Sequence, residues 1–236
     1  MLDQAEALRA KRRAALAQLD TLTQAIVLDL FGDPATNPRG WPVRRIGDLC
    51  EVKGGKRLPK GEEYSSTPTP VRYIRVTDLN AGVVDESALV FLKPEVQATI
   101  ARYIVNTGDV IISIAGSIGL VAPVPPSLDG ANLTENAAKL VPRVGSIYDS
   151  GYLAALLQTS FAQSQIRSHI GQVTIGKLAL FRIEKLQVPL PPLDLQREFV
   201  CRITAVKTLK TIHRAALAEL DALFASLQHR AFRGER

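Results

Sequence analysis

The side chains best suited to chemistry in this sequence are polar groups that stand in glycine-containing or turn-forming segments, outside the apolar runs. Lysine and arginine suit phosphates, while amide, hydroxyl and guanidinium groups suit the edges of bases. The candidates are Lys53, Lys56, Arg57 and Lys60; Arg75, Thr77 and Asp78; Ser117; Asn132, Thr134 and Asn136; and Gln172, Thr174 and Lys177. The pattern therefore predicts a nucleic-acid interface built from several loops.

Each of these groups also has an ordinary structural explanation. The glycines at 54 and 55 would allow the backbone to approach DNA closely, but a basic surface turn has the same composition. Thr77 and Asp78 could form a local turn, and the three residues at 132, 134 and 136 could be caps. Ser117 could sit at the end of a hairpin. The prediction therefore concerns the group as a whole.

The overall charge favours the same class of partner. The chain of 236 residues has a formal net charge of +6, which favours a polyanion, nucleic acid first and an acidic membrane surface second. The two cysteines are far apart and the three histidines show no metal-ligand spacing, so we expect neither a disulfide framework nor a metal site. The first residues show no secretory signal, and we expect a cytoplasmic protein.

One uncharged stretch, residues 110–128, approaches the length of a membrane span. It is interrupted by two glycines and three prolines and is rich in β-branched residues. Two buried strands joined at residues 116–119 explain it better, so we expect no membrane partner.

The elements that must position these side chains are two long helices and the segment between them. Residues 3–31 predict a helix that stops at Gly32-Asp33-Pro34, and a second helix is predicted from about Leu195 to Phe232. Short β-branched runs separated by turn residues fill the middle, with some helix. We therefore predict an α+β fold, with a mixed α/β domain at 34–192 between an N-terminal helix at 1–33 and a C-terminal helix at 193–236.

The two predicted helices carry an internal repeat. The segment RAALAQLDTL (Arg13–Leu22) matches RAALAELDAL (Arg214–Leu223) in eight of ten positions, and the same alignment equates Phe31 with Phe232. A long helix with one apolar stripe needs a partner, so we predict an antiparallel coiled coil, within the chain or between two chains. The residues predicted to pair are Leu8, Ala15, Leu19, Leu22 and Ile26, with Phe199, Val206, Leu209, Leu220, Leu223 and Leu227.

The sequence matches enzymatic motifs only weakly. Asp33-Pro34 followed by Glu51-Val52-Lys53 has the form of a PD…ExK nuclease motif, but such short matches are common by chance. The sequence has no Gly-Lys-Ser/Thr phosphate loop and no Asp/Asn-Pro-Pro-aromatic methyltransferase motif. Three hypotheses remain: a non-catalytic DNA-reading protein, a coiled-coil scaffold without DNA contact, and a nuclease.

Several segments, taken in order, resemble the specificity subunit of type I restriction–modification systems. LDLFGD with PATNPRGWP and IGDL resembles the junction between a spacer helix and a target recognition domain. YIRVTDL (Tyr73–Leu79), TGDVIISIAGSIGLVAPV (Thr107–Val124) and NLTENAAKLVP (Asn132–Pro142) resemble the interior of that domain. GQVTIGKLALFRIEKLQVPLPPLDLQREFV (Gly171–Val200) resembles its end and the start of the next spacer helix.

The resemblance implies a sequence-specific subunit that binds double-stranded DNA and docks adenine methyltransferase subunits and, in some systems, restriction subunits. S-adenosylmethionine, ATP and magnesium would be needed only in those partners, so no cofactor is expected here. The family's usual subunit carries two recognition domains, and this chain predicts one. We therefore expect a half-size form that reads one half of a bipartite site, as a homodimer or paired with another half subunit.

Overall fold

The computed structural model describes residues 2–170 and 176–232, with the side chains of residues 3–170 and 176–229. Two compact units make up the chain: Met1–Arg39 together with Arg197–Arg236, and Gly40–Gln196. We call the first the helical unit and the second the recognition unit, after the target recognition domain that the resemblance predicts. This arrangement confirms the predicted mixed helix-and-strand fold with a long helix near each end.

Seven α-helices and eleven strands are present in the described residues, with short 3-10 turns between some of them. In chain order they are α1 (Leu2–Phe31), β1 (Val43–Arg45), α2 (Ile46–Leu49), β2 (Cys50–Gly54), β3 (Arg72–Ile74), β4 (Leu79–Asn80), β5 (Val83–Val84), β6 (Val90–Phe91), α3 (Pro94–Thr99), β7 (Val110–Ser113), β8 (Val121–Pro123), β9 (Asn132–Leu133), β10 (Ala137–Pro142), α4 (Ser150–Leu157), α5 (Ser160–Ile170), α6 (Leu180–Glu184), β11 (Gln187–Pro189) and α7 (Leu193–Phe232).

Helices α1 and α7 pair antiparallel within the one chain. At one end the ring of Phe31 packs edge-on against that of Phe199, with centroids 5.2 Å apart. Towards the other end Arg9 donates to the carboxylate of Asp221. Helix α1 ends as predicted, since Gly32 adopts a φ of 75° and its N–H donates to the carbonyl of Leu28. Helix α1 is also long and apolar enough to span a membrane, a property that it shares with core helices of soluble proteins and with signal sequences.

Buried or half-buried residues of each helix recur at alternating steps of four and three, which defines a coiled-coil seam. In α1 these residues are Ala5, Arg9, Arg12, Leu16, Leu19, Thr23, Ile26 and Leu30. In α7 they are Phe199, Ile203, Val206, Lys210, His213, Leu217, Leu220, Phe224 and Leu227. Six of the residues predicted to pair lie on this seam: Leu19, Ile26, Phe199, Val206, Leu220 and Leu227.

Five of the predicted pairing residues lie off the seam, which corrects the sequence-based choice. Leu8, Leu22, Leu209 and Leu223 are 40–50% exposed, and Ala15 lies beside the seam next to Leu16. The prediction favoured leucines, whereas arginine, lysine, histidine and threonine take several seam positions. Long basic side chains can do this because their alkyl stems pack against the partner helix while their charged ends reach an acceptor.

The polar seam residues form pairs that follow the internal repeat. Arg9 binds Asp221, and Lys210 binds Asp20 at 2.9 Å. In the repeat alignment Arg9 is equivalent to Lys210, and Asp221 to Asp20, so one ion pair is the symmetry mate of the other. Two copies of one helix that pair antiparallel must be related in this way by a local two-fold axis.

The recognition unit is built on small, mostly antiparallel sheets. A four-stranded sheet has the order β2-β10-β7-β8, and a three-stranded sheet has the order β6-β3-β9, in which β3 and β9 are parallel. The uncharged stretch is confirmed as two buried antiparallel strands, β7 and β8. The chain enters and leaves the unit side by side, because β1 pairs with β11.

A close backbone contact fixes the loop that follows β2. The N–H of Gly55 donates to the carbonyl of Ala137 at 3.0 Å, and that of Lys56 donates to the carbonyl of Leu133 at 2.8 Å. A Cβ atom on Gly55 would lie 2.1 Å from the carbonyl oxygen of Thr134, and backbone atoms cannot move aside cheaply. We expected this glycine to allow approach to DNA; instead it allows approach to the strand β9 and the turn after it.

We predict that Gly55→Ala lowers the free energy of unfolding by about 1–3 kcal/mol, because the added methyl group overpacks the backbone. Gly54→Ala is the matched control, since a Cβ there would meet only Leu180 at 3.7 Å, an ordinary contact. Urea unfolding followed by tryptophan and tyrosine fluorescence measures both. Equal stabilities for the two variants would contradict the contact at Gly55.

We also predict that Phe199→Ala destabilises the helical unit by about 3–5 kcal/mol, because the ring is buried and the cavity cannot close fully. Phe199 is 1% exposed, whereas Leu209 on the same helix is 46% exposed. Leu209→Ala should therefore change stability by less than about 0.5 kcal/mol. Thermal unfolding followed by far-ultraviolet circular dichroism compares them, and a larger loss for Leu209→Ala would refute the seam.

Candidate nucleic-acid interface

The loop that carries the predicted basic residues is held firmly at its base. The hydroxyl of Tyr73 donates to the carbonyl of Lys56 at 3.0 Å, and burial raises the pKa of Tyr73 to about 12. This hydroxyl therefore stays protonated and remains a donor at neutral pH. The loop presents Lys56, Arg57 and Lys60 at the surface.

Arg57 is joined to a residue that the sequence did not single out. Its Nε donates to a carboxylate oxygen of Glu135 at 2.7 Å, and the hydroxyl of Thr134 donates to the other oxygen at 2.9 Å. Burial by itself would raise the pKa of Glu135, but the bonds from Arg57 and Thr134 outweigh it and hold that pKa below its usual value. Glu135 is therefore an anion at neutral pH.

A third segment reaches the same place. The ammonium group of Lys177 donates to the backbone carbonyl of Glu135 at 3.3 Å, and Lys177 forms an isolated β-bridge with Ala115. The hairpin that contains Ser117 joins them, since the N–H groups of Ile114 and Ala115 both donate to the carbonyl of Asn136. Ser117 itself is exposed. The structure therefore brings together loops that are far apart in the sequence.

The segment around Arg75 forms a self-contained turn. The backbone N–H and the Nε of Arg75 donate to one oxygen of Asp78, and its Nη2 donates to the other oxygen at 2.7 Å and to the carbonyl of Ala88. Asp78 is only 3% exposed, so its carboxylate serves the turn. Thr77 remains exposed beside it.

Three predicted contacts are corrected by their burial. Asp78, Asn132 and Thr134 are at most 6% exposed, which leaves little surface for a base edge. Asn132 lies in β9, and its amide donates to the carbonyl of Ile100 at 3.0 Å. Thr134 supports Glu135 through its hydroxyl. Asp78 and Thr134 thus fit the turns that the sequence offered as an alternative, whereas Asn132 lies in a strand and is neither a cap nor a turn former.

The remaining predicted residues differ in their surroundings. Asn136 is partly exposed at the meeting point of the loops. Lys53 is exposed on β2, where its ammonium group pairs with Glu51 of the same strand. Gln172 and Thr174 lie outside the described residues.

Between these loops lies an open groove of about 800 Å³. Five of the predicted residues line it: Arg57, Arg75, Thr77, Thr134 and Asn136. The sequence analysis missed its other polar and aromatic walls, which are Glu62, Glu63, Tyr64, Tyr73 and Glu135. Glu135 lies between Thr134 and Asn136, which the sequence analysis did select. It could have been identified as well, because a carboxylate can accept hydrogen bonds from the amino groups of bases.

The residues of the nuclease motif lie in two different units of the structure. Glu51 and Lys53 neutralise each other on β2, and the pKa of Glu51 is lowered by the hydrogen bond and the charge of Lys53. Asp33 belongs to the helical unit, where its carboxylate accepts from the N–H of Ala35. Each of these residues has a local structural partner.

Comparison with curated proteins shows related sequences of greater length. The chain is 27% identical over 220 residues to the type I restriction enzyme EcoBI specificity subunit of Escherichia coli, a match that covers 92% of this chain and 46% of that protein. It is 24% identical over 212 residues to the putative type I restriction enzyme MjaX specificity subunit of Methanocaldococcus jannaschii, with 83% and 48% covered. The chain thus spans about half the length of the curated relatives it matches.

Solved structures show the same fold. The HsdS subunit of Thermoanaerobacter tengcongensis matches with a TM-score of 0.61 and 20% identity, over 100% of this chain and 56% of that one. A chain from a structural study of the assembly and conformational transition of a type I R-M system matches with a TM-score of 0.67 and 22% identity, over 99% and 56%.

The sequence profile of one family spans both units. The family described as "Type I restriction modification DNA specificity domain" matches residues 38–222, from the start of the recognition unit to well into α7. The recognition unit, the paired helices and the related sequences agree with this match. This chain therefore belongs to the family of type I restriction–modification specificity subunits.

Proposed function

We propose that this chain reads one half of a bipartite sequence in double-stranded DNA for a type I restriction–modification system. The observation that carries the proposal is the convergence of the segments around residues 57, 75 and 135 on one groove. The segments around residues 117 and 177 are bonded to the turn at residues 135 and 136. Side chains with different donors and acceptors, held at fixed positions, are what discrimination between bases requires. Membership of the specificity family supports the same role.

Binding to phosphates would be the task of a different set of side chains. Lys56 and Lys60 are exposed next to groove-lining residues in the chain, and Lys177 is exposed beside Glu135. Each can neutralise a phosphate. The arginines of the groove are already paired with carboxylates. The lysines would therefore set affinity and the groove would set sequence preference.

The partners that we propose are those of the family. The helical unit would seat adenine methyltransferase subunits, and the exposed leucines at 8, 22, 209 and 223 offer apolar surface beyond the seam. Restriction subunits would join in systems that cut DNA. Methyl transfer and cleavage, with S-adenosylmethionine, ATP and magnesium, belong to those partners in this proposal, and the complex would work in the cytoplasm.

The second half of the site would be read by another recognition unit, from a second copy or a related half. Helix α7 has 40 residues, which corresponds to about 60 Å at ~1.5 Å per residue. This length exceeds one turn of DNA, about 34 Å. A helical spacer of this size can therefore hold two readers on half-sites that are separated by an unread gap of constant length.

We predict that co-expression with the cognate methyltransferase subunit yields methylated adenines in a two-part motif with a fixed gap. Sequencing that detects methylated adenine across a host genome measures it, with the methyltransferase alone as the control. An inverted-repeat motif would indicate two copies of this chain, and unlike halves would indicate a partner half. Methylation without any preferred sequence would refute the proposal and favour the scaffold hypothesis.

We further predict that the double substitution Lys56→Gln and Lys60→Gln weakens binding to all sequences alike. The salt dependence, as the slope of log affinity against log salt, should fall by about one for each phosphate that is no longer neutralised. Lys93→Gln with Lys185→Gln removes the same charge from exposed positions on segments of the chain that do not line the groove. Titrations at several salt concentrations compare the pairs, and an equal loss of affinity for both would mean that overall charge alone is responsible.

A further inference from the structure

Arg57 differs from Arg72 and Arg75 in how many hydrogen bonds its guanidinium group donates. In Arg75, Nε and Nη2 donate to the carboxylate of Asp78, and Nη2 also donates to the carbonyl of Ala88. In Arg72, Nη1 donates to the carboxylate of Glu86 and to the carbonyl of Ser127. In the part of the chain that the structure describes, Arg57 uses Nε alone, towards Glu135. Both of its terminal nitrogens are therefore available.

The side chain of Arg57 is also the one that stands out from the surface. It is 78% exposed, whereas Glu135, which holds it, is 24% exposed. Arg75 by comparison is 30% exposed. A flexible surface arginine would ordinarily sample many orientations, and a bond at Nε from a fixed acceptor removes most of that freedom.

Glu135 is itself fixed from several sides. Its carboxylate accepts from Thr134 as well as from Arg57, and its carbonyl accepts from Lys177. The preceding N–H, of Thr134, donates to the carbonyl of Ile74 at 3.0 Å. Gly55, two residues before Arg57, packs directly against the same turn. The acceptor and the loop that bears the arginine are therefore parts of one rigid contact.

A guanidinium group bound through Nε presents its two terminal N–H groups side by side on the far edge. Guanine offers two acceptors at matching spacing in the major groove, O6 and N7, and a bidentate arginine is the commonest specific contact to this base. A lysine in the same place would bring the charge without the paired donors. The geometry therefore suits reading a base better than attracting a phosphate, since Glu135 already cancels the charge of Arg57.

We propose that Arg57 reads a guanine in the recognised half-site and that Glu135 is the positioning residue that aims it. This inference rests on the proposed function, because it requires that the recognition unit meets the major groove. It adds a named base and the residue responsible for it. Arg72 does not suit this role because its Nη1 already donates to Glu86 and to the carbonyl of Ser127. A bidentate contact through both terminal nitrogens is therefore not open to it.

The test is selection of bound duplexes from random DNA by the full chain in complex with its methyltransferase subunit. The wild type, Arg57→Lys and Glu135→Gln are compared, with Arg72→Lys and Glu86→Gln as a matched control pair of arginine and glutamate. We expect Arg57→Lys to reduce the preference for guanine at one position by about tenfold or more, with the other positions unchanged. Glu135→Gln should weaken the preference at that same position by a smaller factor, and the control pair should keep the wild-type motif.

The possible failures are distinct. If the wild type selects no motif, the proposed function itself is wrong. If the wild type selects a motif that Arg57→Lys leaves intact, or if that variant weakens all sequences equally, then Arg57 is not a base reader. If Glu135→Gln alters a different position from Arg57→Lys, then Glu135 is not acting through Arg57. Circular dichroism and thermal unfolding of each variant establish that it is folded before selection.

Discussion

The recognition surface depends on the packing of the backbone at Gly55 against the carbonyl groups of Leu133 and Thr134. This contact brings the loop after β2 to within hydrogen-bond distance of the turn after β9, although the two are far apart in sequence. The polar contacts of this loop follow from it, including those of Tyr73 with Lys56 and Arg57 with Glu135. A side chain at position 55 would separate the two segments, because neither backbone can yield.

In the proposed function, the groove would discriminate between bases without being cationic. Its two arginines are each held by a carboxylate, and Glu62, Glu63 and Glu135 also line it. Pairing removes much of the long-range attraction to DNA but leaves directed donors and acceptors in place. Lysines that adjoin the groove-lining residues in the chain, such as Lys56 and Lys60, can supply the attraction that does not depend on sequence.

Paired polar residues also stabilise the coiled coil of the helical unit. Its seam contains Arg9, Arg12, Lys210 and His213, which an apolar pattern does not predict, and each finds a partner on the opposite helix. The guanidinium of Arg9 also lies 4.2 Å from the ring centroid of Phe224. Polar residues at seam positions favour one register over others, because a shift along the axis would leave them unpaired. The internal repeat makes this register symmetric.

Much of the architecture followed from local patterns in the sequence. The ends of α1, the two long helices, the internal repeat and the paired strands β7 and β8 were predictable, because periodicity and glycine or proline positions act over a few residues. The family resemblance followed from the order of its segments. The tertiary structure decided which side of each helix is the seam, so that Leu8 and Leu223 are exposed while Arg9 and His213 are covered. It also decided that Asp78, Asn132 and Thr134 serve the fold, and that Glu135 holds Arg57. These outcomes depend on contacts between residues far apart in the chain, which the type of a single residue does not encode.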